Sequence, residues 1–193
     1  EIHERLVGSE MCKETGAFSG CNNLQDIYIT NIAAWCNISG LDNLMKYRSN
    51  NKLHINNELA TSITIPNEVT AIPSYAFYNC TELTRVTIGG RVTSVGSWSF
   101  RGCTGLTRVT IPDSVKSIGS NAFNNCTGLT SVTIGGGVKS IGSGTFSNCS
   151  GLTDVTIPES VTSIGENAFL GCTRLSSVTI PESVTSIGNR AFY

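Results

Sequence analysis

The stretch 106–128, which reads LTRVTIPDSVKSIGSNAFNNCTG, decides the fold because copies of it recur at a fixed step of 23 residues. The copies occupy residues 60–82, 83–105, 106–128, 129–151 and 152–174, and a truncated copy follows at 175–193. Internal repetition at a period of about 20 to 50 residues is typical of a solenoid, in which each coil buries its apolar side chains against the coils above and below. The sequence therefore predicts a stack of coils.

The first part of the repeat has the pattern of a β-strand. Val109 and Ile111 are separated by Thr110, so the aliphatic side chains point to one face and threonine to the other. Pro112 follows directly, and because proline has no N–H to donate to a ladder, the strand is expected to end there. Equivalent strands in successive copies are expected to stack into one parallel sheet.

The second part of the repeat returns the chain to the next strand. Val115 and Ile118 point inward, and Gly119 is expected to adopt a left-handed turn conformation, as are its equivalents Gly96, Gly142, Gly165 and Gly188. Residues 120–126 place Ala122, Phe123 and Cys126 at helical spacing, which predicts one or two turns of helix with Ser120 as N-cap. Like side chains of successive copies should then form continuous internal rows.

These residues resemble the BspA-like, or treponemal-type, leucine-rich repeat, whose pattern L-x-x-V-x-I-P-x-x-V-x-x-I-G-x-x-A-F-x-x-C is matched nearly letter for letter over residues 106–126. The resemblance implies an α/β repeat solenoid that is right-handed, with a parallel β-sheet on one face and short helices or turns on the other. It also implies a secreted or cell-surface location in bacteria or protists, with adhesion to host or matrix proteins.

The chain divides into a regular and an irregular part. Residues 60–193 hold six repeats, the last one truncated, whereas residues 1–59 contain degenerate repeats, one enlarged coil and a hairpin. In that part, residues 16–21 look like the end of a repeat, residues 32–37 and 41–47 read as short helices, and Asn56-Asn57 suits the tight turn of a hairpin. Residues 2–15 fit no coil and are interpreted as a cap or a degenerate repeat.

Composition limits the class of function. Thirteen basic and fourteen acidic residues give a net charge of −1, with no basic run, so no nucleic-acid partner is expected. No apolar stretch approaches the length of a transmembrane helix. The chain begins at Glu1 without the apolar core of a signal peptide, which favours a processed or excised segment.

Cysteine and histidine are the candidates for chemistry. One cysteine recurs in each repeat, which would suit a disulfide ladder, a metal column or a row of buried free thiols: Cys80, Cys103, Cys126, Cys149 and Cys172, with Cys21 in an earlier coil. No CxxC pair or nearby histidine supports a metal, so buried thiols are expected. Cys12 and Cys36 lie outside the row, and a disulfide between them is left open.

His3 and His54 have no evident nucleophile or carboxylate partner in the sequence, and no catalytic motif occurs. We therefore expect no enzyme activity, no cofactor, no metal and no small-molecule substrate.

The outward positions of the strands are the candidate binding site, because packing does not fix them. One row varies from coil to coil: Asp26, Tyr28, Arg85, Arg108, Ser131, Asp154 and Ser177. A second row is threonine: Thr87, Thr110, Thr133 and Thr156. The expected partner is a protein, either a host or matrix protein or another copy of the chain.

Two alternatives to the sheet face remain. On the turn side, Tyr75, Tyr78 and Trp98 form either an exposed aromatic patch or local packing between coils. At the end of the array, no polar capping repeat follows Tyr193, so head-to-tail stacking into a filament is the alternative to a binding module.

Overall fold

The computed structural model describes residues 24–46 and 49–193. Fourteen strands occur in this part of the chain: β1 Asp26–Ile29, β2 Lys52–Ile55, β3 Glu58–Leu59, β4 Ser62–Ile65, β5 Ala71–Ile72, β6 Arg85–Ile88, β7 Ser94–Val95, β8 Arg108–Ile111, β9 Ser117–Ile118, β10 Ser131–Ile134, β11 Ser140–Ile141, β12 Asp154–Thr156, β13 Ser163–Ile164 and β14 Ser186–Ile187. Two short helices, α1 Ile32–Cys36 and α2 Leu41–Met45, lie between β1 and β2.

The strands predicted at the start of each repeat form the main sheet. It has five parallel strands in the order β12-β10-β8-β6-β4, and like residues face one another, as Val132 faces Val109 and Val155. Their burial alternates along each strand, with the valine and isoleucine buried and the residues between them largely exposed. The two-residue strands form two further parallel sheets, β5-β7-β9 and β11-β13-β14. The predicted solenoid is confirmed.

The rows of buried side chains are continuous through the stack. Phe77, Phe100, Phe123, Phe146 and Phe169 are all fully buried. Neighbouring rings of this row, which ends at Phe192, are stacked with centroids 5.1–5.5 Å apart. Each coil thus supplies the surface against which the next buries its ring, as the sequence predicts.

The cysteine row consists of buried free thiols. The thiol of Cys126 donates a hydrogen bond to the carbonyl oxygen of Phe100 at 3.1 Å, and Cys103, Cys149 and Cys172 make the equivalent bond. Burial raises the pKa of Cys80 to about 12. The thiols therefore act as small core residues that also satisfy a backbone acceptor. Cys36 is buried and free as well, whereas Cys12 and Cys21 lie outside the described residues.

The predicted helices at residues 120–126 and their equivalents are absent from the described chain, where these segments are runs of turns. Asn121 and Asn125 adopt left-handed φ angles of 57° and 60°, which interrupt a right-handed helix. Their N–H groups donate to carbonyls of the next coil at 2.9 and 2.8 Å, whereas Ala122 and Cys126 donate within their own coil. Alternate N–H groups thus join the coils, so Ser120 caps no helix.

The prediction of left-handed turns at Gly119 and its equivalents is wrong. The glycines with positive φ are Gly40, Gly102, Gly144 and Gly171. A Cβ on Gly119 would lie 2.3 Å from the backbone nitrogen of Ser97 in the preceding coil. Glycine is needed here because two coils approach too closely for any side chain.

The last repeat departs from the others. Its residues 175–180 match the strand pattern but form no strand, and Ile180 is exposed. The following pair Ser186–Ile187 does form β14, although Ile187 remains 51% exposed. A strand sequence without a coil on its far side has neither the ladder nor the burial that its pattern requires.

The irregular part joins the same stack. Strand β1 pairs in parallel with β2, and β2 pairs with β3 in the predicted hairpin, whose turn residues Asn56 and Asn57 have φ angles of 53° and 72°. Helices α1 and α2 confirm the two predicted helical pieces. The indole of Trp35, fully buried, donates to the carbonyl of Ala76 at 2.9 Å and ties α1 to the first regular coil. The predictions for residues 1–23 lie outside the described residues.

Candidate protein-interaction face

The outer face of the main sheet presents the residues predicted for partner binding. Thr87, Thr110, Thr133 and Thr156 are exposed, as are Arg85, Arg108 and Asp154, while Ser131 is half-buried. The register places Ser131 beside Arg108 on one side and Asp154 on the other. The structure therefore brings eight predicted residues together on one surface, because strand alternation turns them all outward.

A concavity of about 720 Å³ lies on this face over strands β6 and β8. Its lining residues are Thr84, Arg85, Val86, Thr87, Ile88, Thr107, Arg108, Thr110, Pro112 and Thr130. Hydroxyl groups and two guanidinium groups thus surround a floor that includes aliphatic side chains. This mixture of apolar surface and a few polar groups is typical of a binding site.

Arg85 and Arg108 carry the charge of the concavity. They are paired across the sheet, where parallel strands lie about 4.8 Å apart. Within the part of the chain that the structure describes, neither arginine forms a salt bridge, since the ion pair present is that of His54 with Asp26. Two like charges at this spacing repel each other. An anionic group of a partner would relieve that repulsion and accept hydrogen bonds from both.

The charge changes sign along the face. Asp154 lies on the edge strand β12, two strands from Arg108, with the neutral Ser131 between them. A partner is therefore offered a positive region over β6 and β8 and a negative residue at the edge. Ser177 is exposed but belongs to the segment that forms no strand, so the structure does not place it in the sheet with the others.

Asp26 and Tyr28 lie on the outer face of the separate N-terminal sheet. Contrary to prediction, His54 has a carboxylate neighbour there, because its Nε2 is 2.8 Å from Oδ1 of Asp26. Its ring also stacks on Tyr28 with centroids 4.4 Å apart. The register of β1 and β2 creates this contact by pairing Tyr28 with His54, and the irregular spacing of residues 24–60 concealed it.

The expected hydrogen bonding between threonines along the outward row is wrong. In the described chain, the threonine hydroxyls that bridge coils belong to other positions: Thr84, Thr107 and Thr130 donate to the carbonyl 23 residues earlier at 2.9–3.3 Å. Among the described residues, Thr87 and Thr110 form no side-chain hydrogen bond, so their hydroxyls face the concavity ready for a ligand.

The turn side carries the predicted aromatic residues as one cluster. Tyr75 lies 5.5 Å from Tyr78 and 6.1 Å from Trp98 between ring centroids. The guanidinium of Arg101 lies 5.3 Å from the rings of both Tyr78 and Trp98. The sequence pattern missed Arg101, although its step of 23 residues from Tyr78 signals that the two are neighbours in the stack.

The sequence matches the model of the BspA type leucine rich repeat region in six copies, over residues 50–155 and 139–193. The chain belongs to this family. The predicted leucine-rich repeat fold is thereby confirmed, and membership suggests a protein-interaction module. No curated protein is significantly similar in sequence.

Solved structures of bacterial leucine-rich proteins have the same fold. A leucine rich cell surface protein from Faecalibacterium prausnitzii is 40% identical, with a TM-score of 0.64 over 88% of this chain and 40% of that one. A leucine-rich repeat protein from Bacteroides ovatus is 25% identical, with a TM-score of 0.68 over 91% and 42%.

A third leucine-rich repeat protein, from Eubacterium ventriosum, has a TM-score of 0.59 at 24% identity, over 87% of this chain and 58% of that one, and shows the fold alone. This chain therefore spans about two fifths of the length of the first two structures and less than two thirds of the third. Among the described residues, no helix has the length and apolar character needed to cross a bilayer.

Proposed function

We propose that this chain is a non-enzymatic protein-interaction module of an exported or cell-surface protein, and that it binds its partner through the outer face of the main sheet. The observation that carries the proposal is the concavity over β6 and β8, in which Arg85 and Arg108 lie side by side without a carboxylate. The surface location follows the Faecalibacterium prausnitzii relative, which is described as a cell surface protein.

The mechanism is rigid display. The strands that hold the exposed residues are fixed by ladder hydrogen bonds below and by buried rows behind, so docking requires little further ordering of the chain. A partner that places a carboxylate against Arg85 and Arg108 gains charge-assisted hydrogen bonds of about 1.5–3 kcal/mol each. The exposed threonines supply additional hydrogen bonds around that anchor. The partner class is a host or matrix protein with an acidic surface.

The test is capture from serum and from extracellular matrix on the immobilised chain, followed by measurement of affinity for the captured protein. The variant Arg85→Ala/Arg108→Ala removes two positive charges from the concavity. The control variant Lys116→Ala/Lys139→Ala removes the same charge from exposed positions off this face.

We expect the arginine variant to bind at least tenfold more weakly, because each 1.4 kcal/mol corresponds to about a factor of ten. The lysine variant should bind as the wild type does. Equal losses in both variants, or none in either, would refute binding through the sheet face. Both variants should keep the wild-type melting temperature, since all four side chains lie outside the buried rows.

A second candidate function, end-to-end assembly, is favoured by the last described coil. Ile187, Phe192 and Tyr193 are 51%, 40% and 82% exposed, and a groove of about 260 Å³ runs between Phe169, Leu175 and Phe192. Exposed apolar surface at a solenoid end suits contact with the first coil of another copy. Sedimentation velocity across a concentration series tests this, because a single monomer species at every concentration would exclude assembly.

A further inference from the structure

The turn side of the solenoid carries a second surface that differs in chemistry from the sheet face. We call it the aromatic–arginine cluster, and it consists of Tyr75, Tyr78, Trp98 and Arg101. The ammonium group of Lys46 lies 6.0 Å from the ring centroid of Tyr75 beside it. Tyr75 and Trp98 are parallel to within 5°, and both are only partly buried. These two rings therefore lie outside the buried phenylalanine row that forms the core.

The backbone of the cluster is in a conformation that its side chains disfavour. Tyr75 and Trp98 both have a φ of 62°, in the left-handed region where bulky residues are rare. Later coils have the same conformation at the equivalent position, with Asn121, Gly144, Asn167 and Arg190. Asparagine and glycine adopt it readily. The first two coils thus keep aromatic residues where the later ones show that strain is avoidable, and such strain persists at functional sites.

The electrostatics of the cluster also favour a ligand. The Nη1 of Arg101 donates to the hydroxyl of Tyr78 at 2.6 Å, while its Nε is buried and has no hydrogen-bond partner. No carboxylate in the described chain forms an ion pair with Arg101. A guanidinium stacked on two rings is poorly hydrated and lacks a counter-ion, so an anion placed at its exposed edge would be bound strongly.

The cluster is held rigidly from beneath. The buried side chain of Asn51 donates through Nδ2 to the carbonyl oxygen of Tyr78 at 2.6 Å and to that of Met45 at 3.3 Å. The indole of Trp35 holds the adjacent carbonyl of Ala76. These bonds fix the backbone that presents the rings. A partner would therefore meet a preformed surface, which lowers the entropic cost of binding.

We propose that the aromatic–arginine cluster docks an acidic protein segment, in which a carboxylate side chain meets Arg101 and an adjacent apolar or aromatic side chain packs on Tyr75 and Trp98. Tryptophan, tyrosine and arginine are the residue types that dominate the binding energy of protein interfaces. A sulfated polysaccharide fits less well, because binding of a polyanion grows with the number of cations along its path and this surface offers few. The proposal is independent of the sheet face.

The experiment titrates the full chain into a fluorescein-labelled 12-residue peptide of Asp, Glu and Phe, and follows fluorescence anisotropy. The matched control peptide has Asn and Gln in place of the acids. The key variant is Trp98→Asn, because asparagine occupies the equivalent position in two later coils and suits the left-handed backbone. It should melt at or above the wild-type temperature. Tyr75→Asn is the second variant, built on the same reasoning.

We expect saturable binding of the acidic peptide that weakens with salt, with at least tenfold weaker binding of the control peptide. Trp98→Asn and Arg101→Gln should each weaken acidic-peptide binding at least tenfold, whereas Arg85→Ala/Arg108→Ala should leave it unchanged. The emission of Trp98 should shift on binding, while buried Trp35, the other tryptophan, should not respond.

Three results would overturn the proposal. The first is no saturable binding of the acidic peptide up to about 1 mM, which corresponds to roughly 4 kcal/mol of binding free energy. The second is binding that survives in both Trp98→Asn and Tyr75→Asn, or that is lost only in Arg85→Ala/Arg108→Ala, which would assign the peptide to the sheet face. The third is binding of heparin by the cluster in preference to the peptide.

Discussion

Replacing Phe123 with alanine removes a ring from the middle of the stacked phenylalanine row. The ring is fully buried and lies 5.2 Å from Phe100 and 5.5 Å from Phe146 between centroids. Truncating a buried phenylalanine costs about 3–5 kcal/mol, through lost transfer free energy and the cavity left behind. Because neighbours stack on both faces, the cavity cannot close without moving two coils, so we expect a loss of about 4–5 kcal/mol.

The matched control is Phe192→Ala at the end of the same row. Phe192 is 40% exposed and stacks on Phe169 alone, at 5.1 Å. Partial burial and a single stacked neighbour lead us to expect a loss of about 1–2 kcal/mol. The two substitutions remove the same atoms, so the difference between their effects measures the contribution of position in the stack.

Urea unfolding followed by circular dichroism measures both effects. At a slope of about 3 kcal/mol per molar urea, the expected loss for Phe123→Ala lowers the midpoint by roughly 1.5 M. The midpoint for Phe192→Ala should fall by less than half as much. Equal shifts for the two variants, or a Phe123→Ala variant as stable as the wild type, would refute the conclusion that stacked internal rows hold the coils together.

Three further predictions concern the turns and the thiols. Gly119→Ala should lower the free energy of unfolding by more than about 1 kcal/mol, because its Cβ would collide with the backbone of Ser97, whereas Gly90→Ala, with nothing within 4 Å, should be neutral in thermal unfolding. Asn57→Ala should cost about 1 kcal/mol at its φ of 72°, while Asn57→Gly should not. Burial raises the pKa of Cys80 from 9.0 to about 12, so its thiol should resist alkylation in the native state at pH 8 by peptide mass spectrometry. For the same reason, stability should fall as pH rises from about 9 towards 12, and less so in Cys80→Ala.

The buried rows could be predicted from the sequence because the repeat supplies its own comparison. Val109 and Phe123 keep their chemical character at every step of 23 residues, and packing alone explains such constancy. The outward position of Arg108 followed from strand alternation once the strand was identified. The aromatic cluster followed in part, because Tyr75 and Trp98 lie one step apart.

The backbone conformations were harder to predict. Gly119 has one sequence signal for two physical causes, a positive φ and a close approach of coils, and the structure shows the second. A usable signal for the left-handed positions was present, since Asn121, Gly144 and Asn167 restrict one position to asparagine and glycine. Tyr75 and Trp98 concealed it by breaking that restriction, which is also why their strain is informative.

The contacts of the irregular part depended on a register that no period supplies. The pairing of His54 with Asp26 requires β2 to lie beside β1, and the enlarged coil between them removes the step of 23 residues. At the other end, residues 175–180 carry the letters of a strand without the neighbour that a strand needs. Pattern specifies what a segment is able to form, and the adjacent coil decides whether it does.

The most direct test of the stacked-coil structure is a nuclear Overhauser measurement on protein labelled at its seven phenylalanines. Six of these rings form the row, with neighbouring centroids 5.1–5.5 Å apart. We expect cross-peaks that link each ring to its neighbours one repeat away, in the order Phe77, Phe100, Phe123, Phe146, Phe169 and Phe192. Missing cross-peaks between Phe100, Phe123 and Phe146, or cross-peaks that skip a repeat, would contradict the stacking on which both proposed binding surfaces depend.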